Sequence, residues 1–372
     1  MKFRTKAAVL KKAVNTILAV HDFGESSDDR QACLLTATEA GLQLESAKLG
    51  AYCSKHVEGQ LLRAGSVGLN AKDLAGMKLK GEVTISADGD AAKFMDGKTA
   101  YQWTIDGRAQ QEVEEQKAAI VQAKALAKIP IGALKAGATF TTYASELDDY
   151  DVQITIEQGR IEYCGIDYYG YGRYEYRDKS VKARKPFNFI LGNSILAKVL
   201  KEVDKDETVS IGVSDDGSVV QISGAGLKLW HPAIDKKYQN TADMIEMVTG
   251  DGVRGCSLKV MRSDLKDAVE RAAPVGKKAG NVSMMLAFDK NNQPSIRQFA
   301  DDGAAVCRFD ATDVEAEPGT KVVLKANYLK EFCKVAPATV PLTVESWNKQ
   351  FLRITVEDKP GLVDYMVAMV VE

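Results

Sequence analysis

Leu10, Val14, Ile17 and Leu18 recur at the i, i+4, i+7, i+8 spacing that lays one apolar stripe along a helix. This predicts an amphipathic helix over 6–22, with Lys11, Lys12 and Asn15 off the stripe. Residues 2–6 read as a strand ahead of it. A hairpin follows, 33–38 and 42–45 about a turn ending in Gly41. A short helix over 70–77 turns Leu74 and Met77 inward. A second hairpin runs from 83–86 through a turn at 87–90 to 101–105.

The same order returns twice. In the second pass a poorer helix spans 131–143, with Leu134 where Leu10 stood. The hairpin 152–156 and 160–163 follows. The helix 194–203 then carries Ile195, Val199, Leu200 and Val203 on one face, ahead of strands 209–213 and 219–222. The third pass opens at 257–260 and has a helix bearing Leu265, Val269 and Ala272. It continues with strands 284–288 and 295–299, a helix over 326–335, and closing strands 341–344, 351–356 and 365–371. Matching helices recur after about 125–130 residues, the size of a small domain and too long for a solenoid repeat. Polar stretches at 106–116 and 235–255 read as links. The prediction is an α+β chain of three like modules, 1–117, 118–247 and 248–372, each an antiparallel sheet with two helices on one face.

Composition narrows the function. The 372 residues are 45% apolar and 27% charged, which is soluble globular composition. No apolar run is long enough to span a bilayer, and Lys11, Lys12 and Asn15 interrupt any signal-peptide core. Six scattered cysteines form no CxxC pair, which points to free thiols in a reducing compartment. The formal charge of −2 argues against a general nucleic-acid coat. An acidic exterior with basic residues on one inner surface gives the same sum, however.

Several motifs fail on context. Gly250, Gly252 and Gly255 match GxGxxG, but a link precedes them and a strand follows, so a hinge is the better reading. The run from Asp96 to Thr99 lacks the first glycine of a phosphate loop. The run from Asp289 to Pro294 starts like a calcium loop and then puts proline where glycine is needed. Three histidines, His21, His56 and His231, compose no nucleophile–base set. The acidic stretch 146–151 reads as a solvated loop. No catalytic set and no metal or other cofactor site emerges, and the chain reads as a protein-binding platform, not an enzyme.

One signal survives. The polar faces of the six repeated helices carry Lys11, Lys12, Lys72, Lys135, Lys198, Lys201, Lys266, Arg271, Lys330 and Lys334. Acidic residues share these helices, so each alone is an ordinary solvated face. If all copies turn their helices the same way, the cations converge on one surface that attracts phosphates without reading bases.

With this order in place, the chain resembles the bacterial-type sliding clamp, the processivity subunit of replicative DNA polymerase. The resemblance covers the whole length. It is carried by Met1-Lys2-Phe3 ahead of a Lys-rich helix, by the run from Ser263 to Ala273 as the third copy's first helix, and by the apolar ending from Tyr365 to Glu372. It implies a head-to-tail homodimer, a ring around duplex DNA, a DNA polymerase partner and an ATP-driven clamp loader, in the cytoplasm of a bacterial or phage-infected cell. Tyr101 and Trp103 are then expected at the subunit interface, against Pro274 and Val275. A partner-peptide pocket is expected from Ile166, Asp167, Tyr169, Gly170, Tyr171, Pro232, Phe351, Arg353, Met366, Ala368, Met369 and Val370. The tyrosine-rich stretch 163–176 reads equally as a half-exposed sheet face. The sequence departs from the family at its tail, where Met369 and Glu372 stand in place of proline and a basic residue. It departs again at the acidic stretch 24–30. The rival reading is a repeat-built structural or assembly protein through which no DNA passes.

Overall fold

The computed structural model describes residues 1–21, 31–48, 50–141, 151–166, 170–201, 203–235, 241–278, 283–300, 303–317, 319–358 and 361–368. The chain divides into two compact units, Met1–Lys135 with Ser180–Asp235, and Ala136–Lys179 with Lys236–Glu372. Among the described residues the helices are α1 (Ala7–Leu18), α2 (Ala71–Ala75), α3 (Gly107–Ala118), α4 (Ile131–Thr141), α5 (Asn193–Lys201), α6 (Thr241–Thr249), α7 (Arg262–Lys278) and α8 (Ala326–Val335).

The first unit holds two antiparallel sheets. The shorter has the order Gln60–Arg63, Lys2–Lys6, Glu82–Asp88, Ala91–Met95, Ala100–Thr104. The longer has nine strands. Its first five are Lys182–Ala183, Lys124–Pro130, Thr208–Val213, Val219–Gly224 and Leu227–Pro232. The other four are Ala51–Val57, Gly41–Lys48, Ala32–Thr38 and Gly65–Asn70. The two groups meet where Leu229 pairs with Cys53 and Trp230 with Tyr52.

α1 buries Ala7, Leu10, Ala13, Val14, Thr16 and Ile17, while Leu18 is half-buried. Its N-terminus has no side-chain cap; the amide of Ala7 donates to the Gly81 carbonyl at 2.8 Å instead. α2 is capped by the Asn70 side chain, which accepts from the Lys72 amide. α1 packs on α2 and α5.

The second unit repeats the plan. One sheet runs Asp151–Glu157, Arg160–Ile166, Gly170–Arg177, Gly361–Ala368, Phe351–Asp358, Leu342–Trp347, Arg254–Val260, Thr312–Ala316. A four-stranded sheet runs Gly303–Arg308, Pro294–Ala300, Ser283–Phe288, Lys321–Lys325. Its core joins Leu265 and Val269 of α7 to Leu329 and Phe332 of α8 and to Leu286, Leu324, Ile354 and Tyr365 of the strands. Phe140 of α4 meets Phe332 edge-on, ring centres 6.2 Å apart. Gly137 lets α4 come this close: a Cβ there would lie 2.2 Å from the Tyr163 ring.

Three differences from the sequence reading stand out. The polar link at 106–116 is largely helix α3, capped by Asp106, whose side chain accepts from the amides of Arg108 and Ala109. Only Ala109 and Val113 are buried on it, and they pack with Ala32, Leu34, Ala47, Tyr52 and Trp230. The link at 235–255 contains α6. Ala51–Val57, Gln60–Arg63 and Gly65–Asn70, to which the sequence reading gave no element, are strands, and so is Gly170–Arg177, in the stretch read equally as a sheet face. Their alternation is blunted because both faces are covered, as in Ala51–Val57, where five of seven residues are buried. Gly250 ends α6 and the strand Arg254–Val260 follows, so the GxGxxG run is a helix-to-strand connection. At Asp289 a hairpin turn forms as expected, its carboxylate accepting from the amides of Asn291 and Gln293. The acidic stretch 24–30 and residues 146–150 lie outside the described residues.

Candidate nucleic-acid interface

Because burial takes one stripe of α1, Lys11 and Lys12 are left exposed. α5 buries Ile195, Leu196, Val199 and Leu200 and exposes Lys198 and Lys201. Packing of α1 on α5 and α2 therefore gathers these four lysines with exposed Lys72 on neighbouring helices of the first unit. Lys12 Nζ lies 4.0 Å from an Asp204 carboxylate oxygen. Lys135 is different. It is half-buried, and its ammonium donates to the carbonyls of Val203 and Lys201, the latter at 3.3 Å, so it serves the C-terminal end of α5.

In the second unit the helix cations are paired along their own helices. Lys266 lies 3.6 Å from Glu270, Arg271 pairs with Asp267, and Lys334 donates to Glu331 at 2.5 Å. Lys330 is half-buried. Such i,i+3 and i,i+4 pairs weaken the field each cation projects. A cavity of about 850 Å³ in the first unit adds basic residues the sequence did not single out, Arg4, Lys6 and Lys55, facing Glu58, Glu82, Asp204 and Glu207. Lys55 donates to the Ala225 carbonyl at 2.6 Å, and burial lowers its pKa. It sits on a strand among buried residues, where periodicity gives no hint of such a role.

Several residues named for the expected peptide pocket meet within the second unit. Tyr171 and Met366 are register partners and form a buried cluster with Val248. Ile166, Phe351, Trp347, Met244 and Ile245 pack around them. Arg353 spans both carboxylate oxygens of buried Asp364, at 2.9 and 2.8 Å. Burial, and then the neighbouring Asp364 charge, raises the Tyr171 pKa. Gly170 is required by its neighbour strand, since a Cβ would lie 2.3 Å from the Met366 carbonyl oxygen. Ala368 pairs with Phe351. Half-buried Pro232 belongs to the first unit, and Asp167, Tyr169, Met369 and Val370 fall outside the described residues. Met244, Ile245 and Val248 were missed, although their spacing in 244–248 is a helical apolar stripe.

No protein-family model and no curated protein sequence matches the chain. Solved structures do. The beta subunit of DNA polymerase III from Thermotoga maritima matches with a TM-score of 0.80 at 13% identity, over 100% of this chain and 99% of that one. The DNA polymerase sliding clamp of Bacillus subtilis matches with a TM-score of 0.79 at 17% identity, again over 100% and 99%. The sliding clamp of Pseudomonas aeruginosa bound to griselimycin matches with 0.78 at 13%, over the full length of both. The chain has the fold of the bacterial sliding clamp. The likeness extends from end to end, so the clamp fold accounts for both units and every described helix.

Within this clamp fold two strands are notable for having one neighbour. Among the described residues, Ala100–Thr104 pairs only with Ala91–Met95, and Gly303–Arg308 only with Pro294–Ala300. Tyr101 and Trp103 lie on the face of buried Phe94 and Ala92, their register partners, and are half-buried. Their rings stack 5.5 Å apart. Near the other edge, Phe299 is 46% and Val306 53% exposed. α7, which carries exposed Pro274 and half-buried Val275, packs against Gly303–Arg308. Among the described residues no group of three or more metal-ligating side chains occurs, and no helix is long and apolar enough to cross a membrane.

Proposed function

We propose that two copies of this chain close head to tail into a ring around duplex DNA and tether a DNA polymerase to it. One observation carries the reading. The five-stranded sheet ending at Ala100–Thr104 and the four-stranded sheet beginning at Gly303–Arg308 together supply nine strands. Their order repeats that of the first unit's nine-stranded sheet, in which Leu227–Pro232 and Ala51–Val57 hold the corresponding places. The missing joint is between copies. Matched strand for strand with the pairing of Leu229 with Cys53, Tyr101 falls opposite Ala305, and Trp103 opposite Gly303, of the second copy. Large rings then meet small residues, beside Pro274 and Val275. Two exposed strand edges, which otherwise invite aggregation, are closed.

The same repetition orders the helices. α1 packs on α5, and Phe140 of α4 on Phe332 of α8; α7 then packs on α2 of the second copy. Module boundaries at 1–117, 118–247 and 248–372 follow from this repeat. The proposed lining is Lys11, Lys12, Lys72, Lys135, Lys198, Lys201, Lys266, Arg271, Lys330 and Lys334. Attraction to phosphates is weak and blind to sequence, so a closed ring slides while topology prevents escape. A polymerase peptide seated at Tyr171, Met366, Phe351 and Arg353, with the rest of the expected pocket, holds the enzyme at high effective concentration near the primer end. Threading a closed ring onto circular DNA calls for an ATP-driven opener. No bond is made or broken by the chain itself, and no cofactor takes part.

Retention on nicked circular DNA tests this. With a clamp loader supplied, the protein remains on the circle in 0.5 M salt, an estimate of the level that screens exposed ion pairs to within about 4 Å, and leaves when the circle is cut. Equal retention on circular and linear DNA would mean ionic adhesion and would end the ring reading. Changing Lys11, Lys12, Lys198 and Lys201 to Glu lowers retention without lowering thermal stability.

A further inference from the structure

We infer that the sheet edge formed by Lys124–Pro130 and Lys182–Ala183 is a second nucleic-acid surface, one that takes the sugar–phosphate backbone of a single strand. The antiparallel pairing sets Lys128 directly opposite Lys182. Like charges placed so oppose the pairing they sit on. The chain then continues with exposed Arg184 and Lys185, and the Arg184 amide holds it to the Leu126 carbonyl at 2.9 Å. Exposed Lys124 opens the neighbouring strand. Lys128, Lys182, Arg184 and Lys185 make no ion pair with any described residue.

Between these side chains runs a groove of about 220 Å³. Its lining includes Lys128, Lys182, Arg184 and Ser210 and no acidic residue. None of the helix lysines of the proposed duplex site lines it. A lone lysine is enough to deter edge-to-edge pairing. Three cations lining one groove, with Lys124 and Lys185 exposed nearby in the chain, exceed that need in a chain whose net charge is −2.

The choice of partner rests on Phe187. It lies two residues beyond Lys185, is half-buried, and stacks with Phe189 at 6.1 Å. A basic track ending at an aromatic ring suits a flexible strand with unstacked bases. An acidic peptide would satisfy the cations and leave the ring unused.

The test uses the full chain and a fluorescent oligodeoxythymidylate of about 30 nucleotides, long enough for more than one site size. Fluorescence anisotropy against salt should show binding that weakens with a log–log slope of about −0.7 per phosphate contacted, near −2 to −3 in total. The variant Lys128→Glu, Lys182→Glu, Arg184→Glu loses this binding at least tenfold and keeps the wild-type far-UV circular dichroism. Phe187→Ala loses it severalfold. The variant with Lys11, Lys12, Lys198 and Lys201 changed to Glu keeps single-strand binding while losing retention on nicked circles. Failure of that duplex assay therefore leaves this proposal standing. Absence of wild-type binding, or full binding by the triple variant, overturns it. So does equal affinity for a polyglutamate peptide, which would assign the groove to acidic proteins.

Discussion

Leu227–Pro232 and Ala100–Thr104 hold the same place in two copies of one pattern, yet among the described residues only the first has a strand on both sides. Leu229 lies between Ile222 and Cys53 and is 1% exposed. Trp103 faces Ala92 on one side, and no described strand flanks it on the other. The first arrangement is finished within the chain. The second has no such neighbour among the described residues. The contrast teaches that a repeat can be read for what it leaves open: a joint made within the first unit is the template for the joint proposed between copies.

Putting the same charge into each strand separates the two cases. Leu229→Glu buries an unpaired carboxylate and should cost about 4 kcal/mol or more, enough to unfold the first unit in thermal or urea melts. Trp103→Glu should leave the melt nearly unchanged. Its effect is on assembly: the dimer of the 40.4 kDa chain weakens about a hundredfold, which is about 2.7 kcal/mol, read by light scattering across a dilution series. If Trp103→Glu unfolds the chain as Leu229→Glu does, the edge is already covered within one molecule and the comparison fails.

A smaller effect distinguishes the joint inside the second unit, where charge supplements packing. There Arg173 lies opposite Asp364 in register, and Arg160, Arg173 and Arg177 converge on fully buried Glu175. Burial opposes its ionisation, but hydrogen bonds from Arg160 and Arg177 and the charges of Arg160 and Arg173 outweigh it and hold the pKa below 4.5. A depressed carboxyl stabilises the fold fully above the unfolded-state value and loses that contribution as pH falls below it. The second unit is therefore expected to lose stability on acidification below about 4.5. Glu175→Gln should lower stability at neutral pH by about 3 kcal/mol, because it removes the buried charge on which half-buried Arg160 and Arg173 converge. It should also flatten the acid limb of the melt. A variant as acid-sensitive as the parent would remove Glu175 from this account.

What the sequence made legible follows from what each element must bury. α1, α5 and α8 each hide one stripe and expose the other, so periodicity finds them. α3 hides only Ala109 and Val113, and its remaining surface is Gln, Glu and Lys, so it reads as a linker. α4 reads as poor helix because 131–143 holds two glycines and three threonines, yet one of those glycines, Gly137, is what admits the Tyr163 ring. The cations were legible as residues but not as partners. Nothing in the spacing of Lys135 tells that it holds the end of α5, and nothing around Lys128 tells that Lys182 lies opposite. Those facts belong to strand register, which contacts distant in sequence decide. The residues of the expected peptide pocket were named through resemblance alone, and α6, whose Val248 packs with Tyr171 and Met366, was hidden in a stretch read as a link.

The joint proposed between copies can be tested directly with the pair Gln102→Cys and Ala304→Cys. Both sites are exposed, and transferring the register of Leu227–Pro232 on Ala51–Val57 to the proposed joint sets them opposite one another. Under mild oxidation the double variant should run as a closed covalent dimer of twice 40.4 kDa, and each single variant as monomer on a denaturing gel. A monomer from the double variant, or a ladder of higher oligomers, would contradict a two-copy ring.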